Sequence, residues 1–332
     1  MSKEHQFCSV CINPSNLGII NPETGRELVF YQHKEGAIIC DICSRMFKDY
    51  SLPERAWFDN EFEEFLQANK RILFAYSGGL DSTVVLSKLS PICRKRGIEL
   101  LTFTINTSVK GQVAKNNIKN VLSYLGILEN HFYRDIDGTV HNHPKIIDLV
   151  DKPATTLEIY RKCREKNILP CGPICNAMMD GIYREIMAEL DFDTLVTGGD
   201  TPKKNTLQKY SLYWKKSSGI TIFRGGYAFG LSKDINRRYV VDNNIPWIDP
   251  RCGGYDTDCL IPGVFFSDGL DNNAQQDLET VIEKYPIILE YLSERVRFGV
   301  IDRNEAIERL TKVDIADQSC YLELLTILEN KE

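Results

Sequence analysis

Residues 77–82 carry the residue types that most directly suggest chemistry: Ser77-Gly78-Gly79-Leu80-Asp81-Ser82. An apolar run at 72–76 precedes the segment and a helical pattern follows it. A strand, a glycine turn and a helix direct backbone N–H groups at an anion, because the first turn of a helix leaves its amides unpaired. Asp81 is suited to hold a magnesium ion that bridges phosphate oxygens. The segment predicts a phosphate-binding loop rather than an ordinary turn, and it lacks the Gly-Lys-Ser/Thr of the Walker pattern.

Four cysteines near the N-terminus form two Cys-x-x-Cys pairs, Cys8 with Cys11 and Cys40 with Cys43, separated by a 28-residue insert. Two such pairs suit a closed tetrahedral zinc site. The insert alternates turn signals with short strand-like pieces, which is typical of a zinc ribbon. We expect a module this small to fold only with its metal.

Four further cysteines lie in segments rich in glycine and proline: Cys171, Cys175, Cys252 and Cys259. Cys175 precedes a helical pattern, and a helix N-terminus lowers the pKa of a thiol there. Three interpretations stay open. Cys171, Cys175 and one later cysteine hold an iron–sulfur cluster, all four hold a second zinc, or they are small buried residues.

The central part of the chain alternates strand and helix patterns, which predicts an α/β fold with a parallel sheet and helices on both faces. Candidate strands are 71–76, 99–105, 131–134 and 194–197, and candidate helices are 82–96, 112–125, 155–166 and 174–190. Ligands of such sheets bind beyond the carboxyl ends of the strands. That rule selects residues 77–82 and the polar or glycine residues that follow two other strands, namely Thr104, Asn106, Gly198, Gly199 and Asp200.

The pattern divides the chain into four regions. We predict a zinc ribbon over 1–50, a helical connector over 51–70, the α/β domain over 71–264 and a helical C-terminal appendage over 265–332.

Composition is that of a globular protein, with 43% hydrophobic and 26% charged residues in 332. The N-terminus is polar and no apolar run reaches the length of a membrane span, so we expect a cytoplasmic protein without membrane insertion. The net charge of −6 disfavours a general nucleic-acid binder. Residues 203–238, however, hold nine basic residues against the single acidic Asp234, which suggests a surface for an anionic acceptor.

The segment 77–82 resembles the SGG-x-DS loop of the PP-loop ATP pyrophosphatases, which cleave ATP to AMP and pyrophosphate and adenylate a substrate oxygen. Across the whole chain the ribbon cysteines, this loop, the central Cys171–Cys175 motif and Gly-Val-Ile-Asp-Arg-Asn-Glu-Ala at 299–306 are similar to bacterial N-acetyl-sugar amidotransferases of surface-polysaccharide synthesis. A more distant resemblance is to tRNA thiolases, some of which hold an iron–sulfur cluster with three cysteines.

The resemblance implies that Mg-ATP binds with its distal phosphates in the 77–82 loop. Asp81 and Asp200 would hold the metal, and Ser82 and Lys233 would stabilise charge as pyrophosphate leaves. The leading expectation is an amidotransferase that uses ammonia from a separate glutaminase and acts on a nucleotide-sugar or sugar. The alternatives are a thiolase-like sulfurtransferase, with tRNA as acceptor and Cys171, Cys175 and Cys252 or Cys259 as sulfur site, and a zinc-ribbon nucleotide-binding regulator without turnover.

Overall fold

The structure is a computed structural model. It describes residues 6–15, 17–19, 26–32, 37–48, 54–166, 168, 170–204, 210–249, 259–261, 282, 286–311, 322, 324 and 326–328.

A six-stranded sheet forms the centre of the molecule. Its strands, in chain order, are β3 Arg71–Ala75, β4 Glu99–Asn106, β5 His131–Asp135, β8 Thr194–Thr197, β11 Tyr213–Lys215 and β12 Thr221–Arg224. Their order in space is β11-β12-β8-β3-β4-β5, with every neighbouring pair parallel except β11 and β12. The predicted α/β fold class is confirmed.

Shorter strands form three antiparallel pairs outside this sheet. They are β1 Phe30–Gln32 with β2 Ile38–Cys40, β6 Val140–His141 with β7 Ala154–Thr155, and β9 Lys203–Lys204 with β10 Tyr210–Ser211.

Eleven α-helices are found in the described residues. They are α1 Asp41–Lys48, α2 Arg55–Ala68, α3 Leu80–Arg96, α4 Gln112–Leu125, α5 Pro144–Val150, α6 Thr156–Glu165, α7 Pro173–Leu190, α8 Gly225–Ala228, α9 Lys233–Asp242, α10 Pro286–Arg297 and α11 Arg303–Thr311. Within the part of the chain that the structure describes, no helix is both long and apolar enough to cross a membrane.

Both faces of the sheet are buried because successive side chains of a strand point to opposite faces. In β3, Leu73 packs with α5, α6 and α7. Its neighbours Ile72 and Phe74 pack on the other side with α2, α3, α4 and α9. Strands buried on both faces read as continuous apolar runs, which explains why the sequence located β3 and β8 closely.

The N-terminal module and the C-terminal helices share a small apolar core of their own. Ile12, between the two cysteine pairs, packs with Leu289 and Leu292 of α10 and with Ala306 of α11. The N-terminal module and the helices α10 and α11 are therefore in contact. The predicted boundaries of the four regions stay predictions.

Replacement of Phe223 by alanine tests the packing of β12, a strand of the central sheet that the sequence did not predict. Phe223 is fully buried and stacks on Phe65 of α2 with ring centroids 4.1 Å apart. We expect Phe223→Ala to lower the free energy of unfolding by about 3–5 kcal/mol, measured by urea titration of the full chain. Val241→Ala on α9, where the side chain is 73% exposed, is the matched control with an effect of about 0.5 kcal/mol or less. Equal effects of the two changes would contradict the placement of β12.

Candidate nucleotide and metal sites

The 77–82 loop has the geometry of an anion cradle. Gly78 adopts φ +86°, and a Cβ atom there would lie 2.7 Å from Ile118 and 2.8 Å from the carbonyl oxygen of Ala114, so only glycine fits. Gly79 is the N-cap of α3, and no described side chain caps the amides of the first turn. Ser77 and Ser82 join across the loop with their hydroxyl oxygens 3.0 Å apart. The two hydroxyls therefore hold the two ends of the loop together, and the N-terminus of α3 stays accessible to a ligand.

Protein donors hold the loop carbonyls away from that ligand position. Lys110, 6% exposed, donates from Nζ to the carbonyl of Ser77 at 2.8 Å. Trp247 donates from Nε1 to the carbonyl of Gly78 at 2.9 Å. Because the carbonyl and the N–H of one planar trans peptide point in opposite directions, these bonds turn the amides of Gly78 and Gly79 to the other side, where that of Gly79 donates to Oγ of Ser77 at 3.2 Å. The sequence analysis singled out neither donor.

The loop lies at the topological switch point of the sheet. From β3 the chain proceeds to β4 and β5 on one side, and β8 and β12 lie on the other. Gly198, directly after β8, is so close to the loop that a Cβ atom would lie 2.7 Å from the backbone nitrogen of Ser82. Open α/β sheets bind their ligands at this place.

Asp81, in the first turn of α3, is held by two side chains of α9. Its Oδ2 accepts from the ammonium of Lys233 and its Oδ1 from Nδ2 of Asn236 at 2.7 Å. Burial alone would lower the pKa of Lys233, but the negative charge of Asp81 raises it above its usual range. Lys233 therefore stays protonated beside the cradle.

The side-chain oxygen of Asn236 accepts no hydrogen bond from the described residues. Its side chain is 1% exposed, and among the described residues nothing donates to its Oδ1. A carboxylate has about four acceptor positions, so Asp81 also keeps capacity after its two bonds. Oxygen atoms of this kind beside a phosphate cradle fit a magnesium ion and its water molecules.

Asp200 has a different environment from the one expected for a magnesium ligand. It is 3% exposed, and its oxygens accept from Nε and Nη2 of Arg295 on α10 at 2.9 and 3.0 Å. Burial alone would raise the pKa of Asp200, but the charges of Arg295, Lys233 and Arg224 together lower it. This two-bond ion pair makes Asp200 an anchor for Arg295.

The remaining polar strand ends make contacts within the protein. Thr104 donates from Oγ1 to the carbonyl of Tyr76 at 2.6 Å, immediately before the loop. Asn106 donates to Asp135. The carbonyl of Gly199 accepts from the backbone of Tyr227 at 3.0 Å. Direct contact of Thr104, Asn106 or Gly199 with a cofactor stays a prediction.

Three cysteines of the second group come together against the core on the α7 side of the sheet. The thiols of Cys171 and Cys175 hydrogen-bond, which raises the pKa of Cys171 and lowers that of Cys175. Cys259 is close enough to interact electrostatically with Cys171. Cys259 also forms an isolated antiparallel backbone bridge with Lys110, whose side chain binds the carbonyl of Ser77. The fourth predicted cysteine, Cys252, lies outside the described residues.

The ribbon cysteines form a tighter group. Cys8, Cys11, Cys40 and Cys43 are fully buried, and their sulfur atoms all lie within 4.8 Å of one another. In the described part of the chain no other set of three or more cysteine, histidine or acidic residues forms such a group.

The spacing of the ribbon sulfurs fits a zinc ion. A tetrahedral Zn–S distance of about 2.3 Å places sulfur atoms about 3.8 Å apart, and Cys11 and Cys40 are separated by 3.8 Å. Hydrogen bonds with Cys11 lower the pKa of Cys8 and raise that of Cys43, so protons are shared unequally among the crowded thiols. A bound cation relieves this crowding because it binds all four as thiolates.

The basic stretch 203–238 is largely turned inward, which corrects the expectation of a continuous anionic-acceptor surface. Lys216 pairs with Asp180, Lys203 with Glu294 at 2.6 Å, and Lys233 with Asp81. Lys203 lies on β9, Lys216 follows β11 and Lys233 begins α9. Of the described basic residues in the stretch, Lys215 and Arg238 are exposed.

The residues that sequence analysis missed come from distant segments. Lys110 had one usable signal, because it follows β4 at the ligand edge of the sheet. Asn236 lies one helical turn after Lys233, but nothing in the sequence marks it. Trp247 and Arg295 reach the site from loops and helices that only tertiary packing brings there.

Similar proteins include one curated relative and one solved structure. No protein-family model matches the chain. An uncharacterised protein of Methanocaldococcus jannaschii is 23% identical over 319 residues, which covers 92% of this chain and 93% of that protein. Among solved structures, the U34-tRNA thiolase NcsA of Methanococcus maripaludis, described with its [4Fe-4S] cluster, is 10% identical with a TM-score of 0.41 over 90% of each chain. Neither similarity assigns a reaction to this protein.

Proposed function

We propose that this protein is an ATP-dependent adenylating enzyme that releases pyrophosphate and transfers sulfur to the activated acceptor. The observation that carries the proposal is the 77–82 loop at the switch point of the sheet. Its first two carbonyls are held back by Lys110 and Trp247, and the amides of α3 are uncapped by any described side chain. That arrangement suits the several negative charges of a pyrophosphate group.

Asp81 and the unpaired Oδ1 of Asn236 would bind the magnesium ion of Mg-ATP, directly or through its water molecules. Magnesium supplies charge neutralisation of the phosphates when bound. Lys233 is fixed on Asp81 and carries a permanent positive charge, so it would stabilise the negative charge that develops on the departing pyrophosphate. Asp200 would act through Arg295 rather than on the metal.

Sulfur is favoured over nitrogen by the second cysteine group. The chain shares its Cys171–Cys175 motif with the amidotransferases that it resembles, but ammonia needs no thiol to displace the activated oxygen, whereas a cluster-bearing sulfurtransferase needs three cysteines together. Cys171, Cys175 and Cys259 meet next to Lys110, which contacts the loop itself. A set of three cysteines matches the number with which some of the resembled tRNA thiolases hold an iron–sulfur cluster, whose cysteines bind different iron atoms. Such a cluster would supply an iron atom that binds sulfur.

The acceptor is a polar molecule with an oxygen that adenylation can activate. Nucleotide-sugars, sugars and tRNA all meet that description. Because Lys203, Lys216 and Lys233 are neutralised internally, an extended polyanion would contact only part of the basic stretch.

The change Asp81→Asn tests the adenylating site. It preserves the size of the side chain but removes the charge that binds magnesium and holds Lys233, so we expect pyrophosphate release to fall about 100-fold or more. Release is measured anaerobically with Mg-ATP, sulfide and unfractionated tRNA, and in parallel with ammonia and UDP-N-acetylglucosamine. Asp193→Asn, at an exposed position, is the control and should change nothing. An undiminished rate in Asp81→Asn would remove the assignment, and wild-type binding of ATP without turnover on either acceptor would favour the regulator.

Metal analysis tests the choice of sulfur. Anaerobically purified wild-type protein should be brown and contain about four iron and one zinc per chain. Cys175→Ser should lose the iron and the colour but keep the zinc, because the ribbon is a separate site. Cys93→Ala is the control, since Cys93 is buried on the opposite face of the sheet. A colourless wild-type protein with one zinc would overturn the cluster and return support to amidotransfer.

A further inference from the structure

Helix α10 contacts the four-cysteine module through two hydrogen bonds that lead to the sulfur of Cys40. Ser293 of α10 and Asn13 of the module are joined at 3.0 Å, and Asn13 donates from Nδ2 to the sulfur of Cys40 at 3.7 Å. Ser293 and Asn13 are buried, as are Ile12 and Leu292 beside them. Two hydrogen bonds therefore connect α10 with a sulfur atom of the metal site.

The start of α11 holds the same module from another side. The guanidinium of Arg303 donates to the carbonyl of Cys8 at 3.2 Å from Nη2 and to the carbonyl of Cys11 at 3.2 Å from Nε. These carbonyls belong to the first Cys-x-x-Cys pair. The first Cys-x-x-Cys pair, which would bind the metal, is thus hydrogen-bonded directly to α11.

The opposite side of α10 faces the nucleotide edge of the sheet. Arg295 holds Asp200 with two hydrogen bonds, and the adjacent Glu294 binds Lys203 at 2.6 Å. The guanidinium of Arg295 lies over the ring of Tyr291, with its Cζ atom 3.2 Å from the ring centroid. One helix therefore carries both the module contacts and the buried charges behind Gly198 and Gly199.

The turn between α10 and α11 also fixes the lysine of the site. The carbonyl of Val300 accepts from the backbone nitrogen of Lys233 at 3.2 Å, at the first residue of α9. Val300 is buried in the same small core as Ile12. The position of Lys233, and through it that of Asp81, depends on a core that the metal-binding module completes.

We propose that the four-cysteine metal site and the nucleotide loop are thermodynamically coupled through α10, with Arg295 as the positioning residue. The metal keeps the module folded against α10, which holds Arg295 on Asp200 and Lys233 on Asp81. Mg-ATP in the loop holds the same contacts from the other end. Each ligand should therefore strengthen the binding of the other by the same factor. The coupling rests on the proposed function in that it takes the 77–82 loop as the nucleotide site.

The direct test is the equilibrium distribution of zinc between the full-length, zinc-loaded protein and a chelating dye. Zinc release is measured at equilibrium with and without saturating Mg²⁺ and the ATP analogue that has a methylene group between its α and β phosphates. We expect the analogue to raise the zinc affinity about 5-fold or more, within the usual range of such coupling. Calorimetry on the same samples records whether the analogue binds. Bound analogue with unchanged zinc release overturns the coupling alone, whereas no binding overturns the proposed function and the coupling with it.

Arg295→Gln separates positioning from simple stability. The variant should keep its zinc in the absence of nucleotide but lose the nucleotide effect on zinc release, because the module contacts through Ser293 and Arg303 remain. Arg96→Gln, an exposed arginine paired with Glu63, is the control and should keep the full effect. An unchanged nucleotide effect in Arg295→Gln overturns the role of Arg295.

Hydrogen exchange gives a readout that needs neither nucleotide nor a variant. Removal of zinc from the wild-type protein should speed amide exchange in Lys233–Asp242 about 10-fold or more, because Lys233 loses the support of Val300. Exchange in Gln112–Leu125, which lies outside the small core, should not change. Equal exchange of α9 in the two states would overturn the coupling even if Arg295→Gln failed to fold.

Discussion

The direction of two peptide groups after β3 determines what the rest of the site can do. Lys110 and Trp247 bind the carbonyls of Ser77 and Gly78, so these oxygens point away from the cradle and the amides that follow lie on its side, with that of Gly79 on Oγ of Ser77. Gly78 permits this turn because a side chain there would meet Ile118 and the backbone of α4. Without these bonds the carbonyl oxygens could face the ligand position and would repel a phosphate. The donors come from two distant parts of the chain, so the cradle forms only when the whole domain is folded.

A layer of paired charges supports the cradle from behind. Lys233 with Asp81 and Arg295 with Asp200 are buried ion pairs, and such pairs contribute less to net stability than to fixed geometry, because desolvation offsets their attraction. Their partners arrive from α9 and α10. Helix α10 packs against the N-terminal module through Leu292, and Lys233 of α9 donates its backbone N–H to Val300 of the same small core. The C-terminal helices are therefore part of the site.

The sequence predicted the elements whose own residues show their structure. The strands β3, β4, β5 and β8 and the helices α3 and α4 have strong apolar patterns, and their observed bounds differ from those predicted by two residues at most. The strand β12 was missed because its four residues lie in a stretch whose lysines suggested a surface. The roles of Trp247 and Arg295 could not be predicted, since both depend on contacts across more than 90 positions of the chain. The grouping of Cys171, Cys175 and Cys259 was anticipated, but their link to the loop through Lys110 needed the structure.

A crystal structure of the full chain with Mg²⁺ and an ATP analogue resistant to cleavage between the α and β phosphates tests the central claim most directly. The account predicts phosphate oxygens within hydrogen-bond distance of the backbone amides at the start of α3, with the metal beside Asp81 and Asn236. Phosphates bound elsewhere, with those amides satisfied by protein groups, would contradict it.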